Sequence, residues 1–108
     1  MNLNQYQSAA WRTARPDWGQ ERRLTMAALG AAGESGEFAD HVKKIYFHEH
    51  PLDAEKIKLE LGDILWYIAE AASALDITLE DVAQANIDKL ARRYPTGFSA
   101  ERSRERVE

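Results

Sequence analysis

The sequence predicts an all-α protein: an antiparallel bundle of about four helices, completed by self-association. Three observations carry this. Apolar residues recur at helical spacing along most of the chain. No sustained alternation of β-branched residues and no Asn-Gly hairpin signal marks a strand. Pro, Gly and capping residues cut the periodic pattern into segments with short connections, which favour antiparallel neighbours. A chain of 108 residues fits one domain with a modest core.

The first helix spans about Leu3 to Ala14, with Tyr6, Ala9, Ala10 and Thr13 on one side, and Pro16-Asp17-Trp18-Gly19 breaks it. The second spans about Gln20 to Phe47. Its stripe is Leu24, Ala27, Ala28, Ala31, Phe38, Val42 and Ile45, and Glu34 falls where the stripe should continue. Gly30, Gly33 and Gly36 each weaken this helix by about 1 kcal/mol relative to alanine, which implies close backbone packing, a bend or room for a ligand. His48-Glu49-His50-Pro51-Leu52 reads as a loop, after which Asp53 caps a third helix over about Ala54 to Leu75. Ile57, Leu61, Ile64, Ile68 and Ala71/Ala72 form its core stripe. Past the Asp76-Ile77 turn, Thr78-Leu79-Glu80-Asp81 resembles a capping box with its acid one methylene short. The fourth helix follows to about Arg93, with Val82, Ala85 or Asn86, and Leu90 facing in. Tyr94-Pro95-Thr96-Gly97-Phe98 ends the helical part, so the domain covers residues 1–98, and the charged residues 99–108 read as a flexible tail. Four narrow apolar stripes make a thin bundle, and a second copy is expected to cover what they leave open.

Composition narrows the function classes. A net charge of -4 excludes a general nucleic-acid binder, so basic residues have to be judged by position. No apolar run approaches the roughly 18 residues of a membrane span. The N-terminus has neither the charged nor the apolar region of a secretory leader. Cysteine is absent, which removes disulfides and thiolate metal sites and fits a reducing cytoplasm, the expected location.

The chemistry concentrates in two acidic pairs, Glu34-Ser35-Gly36-Glu37 and Glu60-Leu61-Gly62-Asp63. Spacing of i, i+3 sets both acids of each pair on one helix face, inside otherwise apolar stretches where an unpaired charge is costly. An antiparallel helix pair would bring the two faces together. The alternative is solvated acids paired with basic residues one turn on. The residues at that spacing are Phe38, His41, Ile64 and Tyr67, none of them Lys or Arg. Divalent cations between the acids resolve the problem, and oxygen-only ligands select a hard ion, Mg²⁺ with Mn²⁺ as a substitute. Redox di-iron bundles use Glu-x-x-His, which the chain lacks. His48 and His50 are read as loop residues; His41, one turn past Glu37, either lines the site or is a surface histidine, and the surface reading is preferred.

A positive half is also legible. Asn86, Lys89 and Arg93 share a face of the fourth helix and suit phosphate oxygens, although C-terminal cations on a solvated helix face look the same. Lys44, seven residues after Glu37, shares the acidic face and can neutralise a polyphosphate. Trp11, Trp18, Trp66 and Tyr67 are candidates for a base-stacking wall, and Trp66 and Tyr67 follow Asp63 closely enough for one to lie beside the acids.

Three segments together resemble the MazG family of all-α nucleoside triphosphate pyrophosphohydrolases. They are Leu29-Gly30-Ala31-Ala32-Gly33-Glu34-Ser35-Gly36-Glu37 with Val42-Lys43-Lys44, then Glu60-Leu61-Gly62-Asp63-Ile64-Leu65-Trp66-Tyr67, then Asn86-Ile87-Asp88-Lys89-Leu90-Ala91-Arg92-Arg93-Tyr94-Pro95 with Gly97-Phe98. The resemblance implies Mg²⁺-dependent cleavage between the α- and β-phosphates of an NTP or dNTP, and a dimer or dimer of dimers. It implies Glu34, Glu37, Glu60 and Asp63 as metal ligands and Asn86, Lys89 and Arg93 as substrate contacts. Glu34 or Glu37 would orient or deprotonate the attacking water. Two other functions use the same residues: a non-catalytic helical oligomerisation or nucleotide-binding module, and hydrolysis of another phosphoanhydride such as a guanosine alarmone.

Overall fold

A computed structural model describes residues 1–105 and is helical throughout, with no strand among the described residues. α1 (Leu3–Ala10) opens with a capping box: the Gln5 amide donates to Asn2 Oδ1 at 2.8 Å, and the Asn2 amide donates to Gln5 Oε1 at 2.7 Å. The helix expected to reach Ala14 tightens into a 3₁₀ turn over Trp11–Thr13. Its cause is local. The Ala10 carbonyl that would continue the α-helix is taken by the Trp66 indole at 3.2 Å and the Thr13 hydroxyl at 3.2 Å, so the Ala14 amide turns to Trp11 O.

α2 (Gln20–Phe47) and α3 (Ala54–Ala74) match the spans expected from periodicity to within a residue. Asp53 Oδ1 accepts from the Glu55 and Lys56 amides at 3.1 and 3.2 Å and starts α3. The pairs Arg23–Glu70 and His41–Glu60 fix an antiparallel register between the two helices. The Thr78 hydroxyl accepts from the Asp81 amide at 3.0 Å and opens α4 (Leu79–Arg93). α1 clamps the α3–α4 corner through Gln7, which donates to Ile77 O and Ser73 Oγ and accepts from the Leu79 amide at 2.7 Å.

Part of the expected tail is structured. Ser99 caps α5 (Ala100–Arg104), and Arg102 donates to the carbonyls of Arg93 at 2.8 Å and Arg92 at 2.9 Å. These bonds satisfy the end of α4, where a cation is favoured. Residues 106–108 lie outside the described residues.

The core is small. Ala27, Ala69, Ala72, Ala74 and Leu79 are buried, and no large side chain is fully buried among the described residues. Positions expected in the core stripes, among them Ala28, Leu61, Ile68, Val82, Ala85 and Leu90, are exposed. The reason is architectural: α4 packs on α1 and α3 but hardly on α2, so the expected bundle does not close within one chain. The radius of gyration is 16.7 Å, where about 13 Å is expected for a compact chain of this length.

Candidate active site

The α2–α3 pair brings the four acids onto one surface. Glu34 and Glu60 are half-buried, and Glu37 and Asp63 are exposed. The Glu34 carboxyl is held above the ordinary glutamate range, first by desolvation and then by the negative charges of Glu37, Asp63 and Glu60. A hydrogen bond between Glu34 and Glu37 acts in the same direction. Mutual repulsion of this kind marks acids that lack compensating cations, which is the environment a divalent ion relieves. The donor set is all oxygen and fits Mg²⁺. As the side chains stand, no group of three or more His, Asp or Glu among the described residues is arranged to hold a metal ion.

Glu60 differs from the other three. One of its oxygens bonds His41 Nδ1, and His41 is buried. The reading of His41 as a surface residue is therefore corrected: its position one turn past Glu37 turns it inward, across the helix pair. Tyr6 also belongs to this surface. Burial and then the charge of Asp63 raise the Tyr6 phenol above its ordinary value, which places α1 beside the acids.

A polar cavity of about 240 Å³ adjoins the acids, lined by Glu37, His41, Lys44, His50, Lys56 and Glu60. Asp40, which also lines it, pairs with Lys43 at 2.8 Å and Lys44 at 3.0 Å. Hydrogen bonds from Lys43 and Lys44 pull the Asp40 carboxyl down to about 2. Lys44 thus reaches the acidic face as expected, but it is shared with Asp40. Glu49 adopts a left-handed backbone (φ 58), and the His50 amide folds back onto Lys44 O at 3.1 Å, which sets His50 in the cavity. Lys56 was missed in the sequence, yet it stands one helical turn before Glu60, the same-face spacing that identified the acids.

The aromatic candidates divide. Trp66 donates to Ala10 O and, at 2.9 Å, to Thr13 Oγ1, so it fastens α1 instead of forming a base wall. Trp11 lies under the Arg23 guanidinium at 4.6 Å. Tyr67 and Trp18 line an open groove of about 940 Å³ with Arg22, Met26, Leu29 and Gly30. The Trp18 ring is flanked by Arg22 at 4.0 Å and Arg15 at 4.7 Å. Gly30 is needed here: a Cβ would sit 2.2 Å from Tyr67 Cε1. Gly33 and Gly36 face open space within the chain. Gly30 and Tyr67 stand one turn from Glu34 and Asp63 respectively, so the groove abuts the acids.

The α4 residues are elsewhere. Asn86 and Lys89 line a separate groove of about 660 Å³ with Val82 and Arg92, and it shares no residue with the cavity beside the acids. Arg93 is buried and its carbonyl accepts from Arg102. A single chain therefore does not bring the two halves of the expected site into one cavity.

Residues 21–98 match the family model of the MazG nucleotide pyrophosphohydrolase domain. The Gene 37 protein of Mycobacterium phage L5 is 35% identical over 105 residues, covering 90% of this chain and 92% of that protein. No solved structure matches.

Proposed function

We propose, from the premise that this chain belongs to the MazG nucleotide pyrophosphohydrolase family, that it hydrolyses an NTP or dNTP between the α- and β-phosphates. The products are the monophosphate and pyrophosphate. The single observation that carries the reading is the repulsive carboxylate cluster spanning α2 and α3, centred on Glu34 and flanked by Lys44 and Lys56.

Glu34, Glu37, Glu60 and Asp63 would hold Mg²⁺, with Mn²⁺ as substitute. Bound there, the ion supplies charge neutralisation at the phosphate oxygens and a more acidic water. Glu34 or Glu37, whichever carboxylate the ion leaves free, would orient a water and accept its proton as its oxygen bonds to phosphorus. The bridging P–O bond breaks and its electron pair leaves on pyrophosphate. Lys44 and Lys56 stand beside the acids to attract the polyphosphate. Tyr67 and Trp18 offer aromatic surface to the base in the adjoining groove.

Self-association belongs to the same reading. The chain of 12.3 kDa exposes 7884 Å², whereas a compact monomer of that mass exposes about 6,100 Å². The excess, about 1,800 Å², is of the order that one partner buries in an obligate homodimer. Leu61, Ile68, Val82 and Leu90 are among the apolar groups left open. A homodimer or homotetramer would cover them and can bring the Asn86 and Lys89 of one copy towards the acids of another.

The exposure of Glu37 and Asp63 favours a second reading, a nucleotide-binding helical module with solvated acids. Calorimetric titration with Mg²⁺ plus a non-hydrolysable NTP, beside a pyrophosphate-release screen over common and damaged NTPs and dNTPs, separates the two. Binding with pyrophosphate release supports the hydrolase; binding without release supports the module.

A further inference from the structure

We propose that His41 is a positioning residue that fixes Glu60 as the anchored ligand of the divalent-cation site, around which Glu34, Glu37 and Asp63 close. The inference rests on the metal-dependent reading above.

His41 is buried on α2, and its Nδ1 bonds Glu60 Oε1 across the helix pair. Glu60 is itself mostly enclosed, with a side chain 18% exposed, whereas Glu37 and Asp63 are open to solvent. An imidazole that carries a proton on Nδ1 donates to the carboxylate, which leaves Glu60 Oε2 and one lone pair of Oε1 for a cation. The rotamer freedom of Glu60 is then lost on folding and not on cation binding. Of the four acids, Glu60 is the one paired with a buried side chain of the facing helix. A carboxylate ligand held by a partner of its own follows a general pattern, in which loss of the partner weakens metal binding by about 10–100-fold.

The side chain that can replace His41 is set by geometry. The Asn amide nitrogen falls near the Nδ1 position, while the Gln amide reaches one bond further. The test is an Mn²⁺ titration of the full chain, followed by the loss of the free-ion electron paramagnetic resonance signal, with circular dichroism to verify folding. His41→Gln and His41→Phe are expected to bind Mn²⁺ about 10–100-fold more weakly, and His41→Asn within a few-fold of the wild type. Binding by His41→Gln equal to the wild type overturns the proposal. So does His41→Asn as weak as His41→Gln, because the donor position would then be irrelevant. The Asn–Gln comparison decides the matter even where His41→Phe does not fold. If the wild-type chain takes up no Mn²⁺, the metal-dependent reading itself fails and the role of His41 falls with it.

Discussion

Removing the Arg23 side chain should be the most damaging single change outside the acidic surface. Arg23 Nε and Glu70 Oε1 are 2.7 Å apart, with side chains only 11% and 3% exposed. In Arg23→Met the glutamate keeps its burial and loses its partner, a situation that costs about 3–5 kcal/mol. The guanidinium also stacks on Trp11 at 4.6 Å, a contact that contributes about 0.5–2 kcal/mol. The combined loss, about 3.5–7 kcal/mol, approaches the whole stability of a small domain. Arg23 Nη2 is buried without a hydrogen-bond partner, so the native pair is not optimal. Replacing both partners, Arg23→Met with Glu70→Leu, should therefore recover most of the loss. Thermal unfolding followed by circular dichroism, at matched protein concentration, reads both effects. A loss of about 4 kcal/mol lowers Tm by about 15–20 °C or leaves no cooperative transition. A shift of less than about 5 °C for Arg23→Met would refute the argument, as would a double variant no better than the single one.

Gly30→Ala places a Cβ 2.2 Å from Tyr67 Cε1, and Tyr67 is braced edge-on by Trp66 at 5.1 Å, so the ring must move into the groove. Steady-state kinetics should show a raised KM with kcat little changed; an unchanged KM removes the groove from nucleotide binding. Leu90→Glu introduces a charge on the open face of α4 and should shift the proposed homo-oligomer towards monomer in sedimentation velocity, while an unaltered profile would count against an interface on that face. Asp40, whose folded carboxyl titrates near 2 against an ordinary 3.8, binds fewer protons when folded than unfolded at intermediate pH. Its contribution is present above about pH 4 and is lost as pH falls towards 2. The Tm gap between wild type and Asp40→Asn should close over that window, and a constant gap would show that the lysine pairs are not its source.

The helices were legible because periodicity and punctuation agreed. Asp53 and Thr78 mark their starts through short side chains that accept from nearby amides. The four acids were legible for the same reason, since i, i+3 spacing is a local property. What sequence could not show depends on a second helix. The inward turn of His41 is set by Glu60 on α3. The division of Trp66 from Tyr67 is set by α1 and by the missing side chain of Gly30. Arg23 and Glu70 carry no local sign of being paired. The open stripes of α4 show a different limit: periodicity identifies an apolar face but not whether the same chain or another copy covers it. The short helix within the tail was not legible for a compositional reason. Charge content outweighed the Ser99 cap and an arginine placed to bind the end of α4.

The most direct test of the account is Mg²⁺-dependent pyrophosphate release by the purified chain and by Glu37→Gln and Asp63→Asn. Release by the wild type is expected, and chelation should abolish it. Both variants should lose at least about 100-fold, with helicity and Tm retained because both side chains are exposed. Full activity in either folded variant, or release that persists without a divalent cation, would contradict it.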